Sequence, residues 1–451
     1  MATKTNSTNT GFPSDGSPSN GHGHQAGSAR AALSYPVFRR MWMAAFSSSI
    51  GTWMQNVVLP LYVLDRTNSS AAVAAVGFAQ LGPLLFLSIP AGVIADRFDR
   101  RKWLIAMQLV QLTFSALLAP LTIVDAPIWS ILLVTLGVGV GNALNAPAWS
   151  AMLPTMVSKP DLSGAVSLQS VMINGSRVLG PIVVALLRSA GASVAEIVLI
   201  NAFTYLFVVV ALLRTTVPSA IDKGTATGWR QLTVGIGIAR RNAVIGRLLI
   251  ALFTFSLISL PYVGLFAIVA RQNFGIEKGS TSYEWLFAIW AFGACMGGLA
   301  IGTIFVKWDK RRLIRQGFLA FALSLTGFAL ARNVWQALIA GLLLGFAYFG
   351  TTTAMSTVLQ NRIVDHERGR VMALWFMAFG GTVPLGYFAF APLIDAIGAR
   401  WVLLIGATWA LLLAGWCNIA AIDRLIDKGR GQLLETDHTA SFDQHGMPAG
   451  Q

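Results

Sequence analysis

The stretch Gly92 to Trp103, GVIADRFDRRKW, sets six charged side chains (Asp96, Arg97, Asp99, Arg100, Arg101 and Lys102) between two long apolar runs that hold almost none. Those runs, 71–95 and 103–124, are each long enough to cross roughly 30 Å of hydrocarbon as a helix rising about 1.5 Å per residue. The charged stretch therefore reads as a short turn between two membrane spans. Composition agrees along the whole chain: 55% of 451 residues are hydrophobic, 12% are charged and the mean hydropathy is +0.63. A soluble globular chain carries about 25% charge. The sequence is that of an all-α integral membrane protein.

Twelve stretches read as spans: 41–64, 71–95, 103–124, 128–150, 164–188, 193–213, 245–270, 281–305, 313–331, 334–357, 371–394 and 400–422. Six lie on each side of a polar break, which gives an N-terminal bundle at 37–214, a linker at 215–244 and a C-terminal bundle at 245–423. The tails, 1–36 and 424–451, read as disordered; the first is rich in Ser, Gly, Asn and Thr and has no apolar core of a signal peptide. Within the linker, Trp229 to Arg241 is amphipathic and suits either a surface-lying helix or a plain connector. The two cysteines, Cys295 and Cys417, both fall inside apolar runs, so no disulfide framework is implied.

Charge sets the orientation. With both tails and the even-numbered loops on one side, that side holds 26 of the 33 Lys and Arg, the other side holds six, and Arg177 remains within the membrane. The acidic residues divide 13 to six, so the faces carry +13 and 0, and Arg177 completes the net +14. By the positive-inside rule both termini are cytoplasmic and the span number is even. The basic balance thus marks topology in a cell membrane, with lipid as the partner of the basic face, and calls for no nucleic acid.

The halves echo each other. Phe98-Asp99-Arg100-Arg101-Lys102 recurs as Trp308-Asp309-Lys310-Arg311-Arg312, and the loop Met156 to Gly164 is matched by Ile363 to Gly369. Gly92 with Asp96-Arg97 and Arg100-Arg101 resembles the loop signature between the second and third helices of the major facilitator superfamily. The stretches NAPAWSAMLPTMVSKPDLSGAVSLQSVMINGSRVLGP (Asn145 to Pro181) and VLQNRIVDHERGRVMAL (Val358 to Leu374) resemble the branch with the enterobactin exporter and macrolide efflux proteins, the transmembrane secretion effectors. The resemblance runs from about Tyr35 to Ile422. It implies two pseudo-symmetric six-helix bundles with a midplane site between them, and a monomeric exporter of a moderately large organic molecule driven by protons. An importer or facilitator of a small solute shares that fold. The chain has no GxxxxGK[ST], HExxH or GxSxG, which speaks against an enzyme or an ATP-driven pump, and no cofactor or metal is implied.

Arg177 is the first candidate for the site, since charge in hydrocarbon is costly and must face the protein interior or a water-filled cavity. It shares a stripe of the fifth span with Ser167, Ser170, Asn174 and Pro181. It would bind an anionic substrate, or serve as a scaffold bonded to backbone carbonyls. Gly180-Pro181 resembles the fifth-helix antiporter motif, with Val184-Ala185 standing where its later glycine pair would fall. Polar and aromatic stripes elsewhere add Trp53, Gln55, Asn56, Asn142, Asn145, Tyr262, Tyr348 and Trp375 as candidates for lining a substrate cavity; the alternative is that such residues join helices or mark the interface. Gly92, Asp96, Arg97, Arg100 and Arg101, facing Asp365, Arg368 and Arg370 of the other half, are candidates for a conformational latch. No Asp, Glu or His falls in the middle third of any span. Asp65 and Glu284, near span ends, are the candidate proton acceptors, with capping or solvated roles as the alternative.

Overall fold

The computed structural model of the chain describes residues 27–215, 230–364, 367–419 and 421, with side chains at 88, 89, 91–97, 230–233, 368 and 369 outside the description. Sixteen α-helices run in order: α1 (Ala29–Ser34), α2 (Pro36–Thr67), α3 (Ser70–Arg97), α4 (Arg100–Ile123), α5 (Ile128–Met152), α6 (Leu162–Ser189), α7 (Val194–Leu213), α8 (Arg230–Arg241), α9 (Ala243–Thr254), α10 (Phe266–Phe274), α11 (Ser282–Gly302), α12 (Lys310–Leu330), α13 (Val334–Gln360), α14 (Arg368–Phe376), α15 (Thr382–Ile397) and α16 (Ala399–Trp416). No strand occurs among the described residues. Helix occupies each of the twelve predicted spans, but two are broken. The seventh is α9 and α10 joined by a π-turn, Phe255–Ser259, and a 3-10 turn, Pro261–Val263. Pro261 has no N–H to continue an α-helical ladder there. The eleventh is α14 and α15 joined by a π-turn, Met377–Gly381.

Among the described residues, ten helices are long and apolar enough to cross a membrane, and a bent pair makes an eleventh. That pair is α8 and α9, which meet at 115°. Asn242 caps the turn, its side chain accepting from the amides of Val244 (3.1 Å) and Ile245 (3.2 Å). The amphipathic linker helix therefore lies across the seventh span, as a surface helix would. The first predicted span, α2, falls outside the ten although it is 32 residues long. Its Ser48 and Gln55 are buried against other helices, where apolarity toward lipid is not required.

Pairing repeats between the halves. In the first, α3 packs on α5, and α4 on α5 and α7; in the second, α11 packs on α13, and α12 on α13 and α16. The halves meet through α6 on α11 and α3 on α15, two contacts that a twofold along the membrane normal would exchange. Glycine permits the closest approach: a Cβ at Gly297 would strike the Phe346 carbonyl, and one at Gly345 the Trp290 carbonyl, on the facing helices α13 and α11. The repeated basic turn also has a local reason. Asp99 caps α4 by accepting from the Lys102 amide (2.9 Å), and Asp309 caps α12 by accepting from the Arg311 amide (2.9 Å).

Residues grouped by composition with the N-terminal tail are partly helical. Helix α1 is fastened to the loop before α6, with the Gly27 amide donating to Asp161 Oδ1 (2.9 Å) and the Tyr35 hydroxyl to Asp161 Oδ2 (2.8 Å). The tail expected over 1–36 thus gives way to structure before residue 36.

Candidate functional site

The candidate site is the seam between the halves, where α6 of the first meets α11 of the second and Arg177 reaches Phe349 on α13. Arg177, on α6, lies over the ring of Trp53 (5.2 Å from guanidinium carbon to centroid), on α2, and over the ring of Phe349 (4.7 Å), on α13. One guanidinium is thereby held by a ring from each half. Its Nε is buried with no hydrogen-bond partner, and no carboxylate pairs with Arg177 among the described residues. Desolvated cation–π contacts are worth about 2 kcal/mol or more, which offsets part of the burial cost and leaves the charge itself uncompensated.

Behind Phe349 stands an aromatic wall. Tyr348 stacks between Trp290 (6.0 Å, 17°) and Phe379 (6.2 Å, 26°), and Phe349 meets Tyr348 edge-on at 4.6 Å. Tyr262 is buried beneath, its hydroxyl accepting from Trp290 Nε1 (3.1 Å). Trp375 is also buried, packed in the apolar core of the second half.

The other candidates fall in different places. Gln55 is not on an open face: its Oε1 accepts from Ser115 Oγ (2.7 Å) and Asn201 Nδ2 (2.7 Å), and all three side chains are buried within the first half. It joins the first, third and sixth spans. Asn145 accepts from Gln108 Nε2 (3.3 Å), and Asn174 donates to the Ser170 carbonyl (2.9 Å); both are half-buried, as are Asn56 and Asn142. Sequence reading missed Ser115, Asn201 and Phe349. A lone Asn in the middle of an otherwise apolar sixth span was the available sign of a helix-joining group; Phe349 carried no sign that separates it from a lipid-facing ring.

Two latch candidates can be placed in detail. Arg101 Nε donates to the Leu212 carbonyl (2.8 Å) and its Nη2 to the Leu213 carbonyl (2.9 Å), capping the C-terminal end of α7. Arg100 Nη1 reaches the Ala151 carbonyl (3.5 Å) near the end of α5. Both ties stay within the first half. Gly92, Asp96 and Arg97 lie on α3 and Arg368 on α14, with their side chains outside the described set, and Asp365 lies outside the described residues. Arg370 is exposed.

The two proton candidates sit at the end of the bundle opposite the basic loops. Asp65, at the end of α2, pairs with Arg271 of α10, and its backbone carbonyl accepts from Lys278 Nζ (2.8 Å). Ser70, opening α3, donates to Asp395 of α15 (2.5 Å). These polar contacts join the halves at this end. Glu284, opening α11 at the same end, is fully buried with neither carboxyl oxygen bonded to another residue, so a solvated role does not describe it.

A profile of the transmembrane secretion effector family matches residues 27–429. Macrolide efflux protein A of Streptococcus pyogenes is 24% identical over 385 residues, covering 81% of this chain and 92% of that one. The staphyloferrin A transporter of Staphylococcus aureus is 24% identical over 366 residues, covering 78% and 89%. Among solved structures, a bacterial homologue of the human lysosomal transporter Spinster, inward-facing and unoccupied, superposes with a TM-score of 0.67 at 14% identity, covering 87% of this chain and 98% of that one. Its fold is that of a major facilitator transporter, and the molecule is a membrane transporter and not an enzyme. The chain belongs to the transmembrane secretion effector family.

Proposed function

We propose that this transporter exports an anionic amphipathic organic molecule from the cytoplasm by alternating access, driven by protons moving inward. The observation that carries the substrate class is Arg177, one uncompensated cation clasped by a ring from each half at the seam where the halves must separate. A negative group on the substrate would supply the missing partner, and the wall from Trp290 through Tyr348 to Phe379 would hold its apolar part. The relatives named for macrolide and staphyloferrin A transport support a substrate of moderate size. On the positive-inside reading, the end joined through Asp65 and Asp395 faces outward, so the state described is closed to the outside.

The test is transport in proteoliposomes with an anionic and a neutral amphipathic dye of similar size, for the wild type and Arg177→Met. Met keeps the apolar volume and removes the charge. Uptake of the anionic dye into inside-out vesicles should fall at least tenfold while that of the neutral dye changes little. Equal loss of both dyes by a folded variant would remove the anionic reading, and accumulation only in right-side-out vesicles would reverse the direction.

A further inference from the structure

Glu284 opens the eighth span and is buried completely, and it is the carboxylate among the described residues whose two oxygens are both buried without a hydrogen-bond partner on another residue. Asp65 and Asp395, at the same end of the bundle, are each bonded across the seam. An ionised carboxylate sealed away without partners costs several kcal/mol, so the packing observed fits the neutral acid.

The charges around it are few. Helix α11 packs on α6, α13 and α10. From α6 comes Arg188; α13 contributes no ionisable residue except Tyr348, and α10 contributes Arg271, which is bound to Asp65. Asp65 approaches from α2, and Tyr283 stands beside Glu284 on its own helix. Arg188 and Asp65 belong to the opposite half from Glu284. Parting the halves at this end would admit water to the carboxyl group, and closing them removes that water.

We infer that Glu284 is a proton-uptake site that locks closure of this end to proton binding: the halves meet here only after Glu284 has taken a proton from the outer compartment. The inference rests on the orientation and proton drive proposed above, and names the residue at which they act. The proton comes from outer water onto one carboxylate oxygen, and the closed state then holds one proton more than the open state. Closure is therefore favoured as pH falls and opposed as it rises, with the closed-to-open ratio changing up to tenfold per pH unit between the two states' titration midpoints.

The experiment places spin labels at Ala190→Cys and Glu277→Cys, exposed positions on loops of the two halves at this end, in a Cys295→Ser background. Distances are read by pulsed resonance in nanodiscs from pH 5 to 9, with neither substrate nor gradient present. The wild type should shift toward the short distance as pH falls, and Glu284→Gln, which mimics the neutral acid in size and charge, should keep the short distance at every pH. A wild-type distribution that ignores pH, or a Glu284→Gln protein that keeps the full pH response, would overturn the inference. Since no substrate is used, a failure of the anionic-substrate reading leaves this readout unaffected.

Discussion

Replacing Asp65 with Asn should loosen the seam at the Asp65 end, and the size of the effect follows from the contacts. The change removes the ion pair with Arg271 but leaves the bond from Lys278 to the Asp65 backbone carbonyl. The paired side chains are 21% and 27% exposed, between the surface regime of about 0.2–1 kcal/mol and the buried regime, where orphaning one partner costs about 3–5 kcal/mol. About 1–2 kcal/mol is the resulting estimate, a shift of roughly 5- to 30-fold in the closed-to-open ratio at about 1.4 kcal/mol per tenfold. Arg271 adds to the shift, because its Nη1 is already buried without a partner and the guanidinium would then lose its carboxylate too. The same label pair at residues 190 and 277 reads the ratio directly. Adding Arg271→Gln should recover part of the closed population by removing the orphaned charge. A closed fraction that moves less than twofold in the single variant, or a double variant that opens further, would refute the assignment of this pair as the latch.

Gln55→Leu should destabilise the first half by about 1–3 kcal/mol, since it strips two acceptor contacts from the buried Ser115 and Asn201; thermal unfolding in detergent measures this, and an unchanged midpoint would show the network to be slack. Arg101→Gln should lower stability by about 0.3–1 kcal/mol through the lost cap on the α7 carbonyls, with dye selectivity unaltered; an altered selectivity would mean the residue does more than cap. Gly180→Val should disturb folding, because even a Cβ there would lie 2.6 Å from Trp53 Cβ and 3.1 Å from the Met54 amide nitrogen, and overpacking of this kind costs about 1–3 kcal/mol; normal yield and melting would contradict the packing described. Asp309 is held below the usual carboxylate range chiefly by hydrogen bonds from the Arg311 side chain, with the Arg311 amide adding to it. Its contribution to stability is full above the unfolded value of about 3.9 and is lost as pH falls through the lower folded value. The stability gap between wild type and Asp309→Ala should accordingly shrink below about pH 4, and a gap constant down to pH 2.5 would exclude the charge as its source.

The sequence alone fixed the solvent and the repeat. In a chain with 12% charge gathered between apolar runs, runs of about 20 residues are the length of a membrane helix, which satisfies its backbone polar groups within its own segment, and the twelve predicted stretches follow from that length. The echo of Asp99 in Asp309 was also legible, since a cap acts on backbone amides a few residues away. Arg177 stood out for the same kind of reason: its cost in hydrocarbon depends on its depth and not on its neighbours.

What the sequence left open concerns partners far apart along the chain. Nothing local separates Gln55, spent on Ser115 and Asn201, from a polar residue facing a cavity, because helical periodicity gives a face but not the helix it meets. The pairing of Asp65 with Arg271 spans 206 residues, and the ring of Phe349 reaches Arg177 only after both halves have folded and met. Glu284 shows the limit most plainly: a span-end glutamate is ordinarily solvated, and here it is a buried acid on a helix packed by α10 and α13 of its own half and by α6 of the other. Hydropathy and capping are properties of a residue and its near neighbours, whereas burial at a seam belongs to two surfaces at once, and the tertiary structure alone brings those surfaces together.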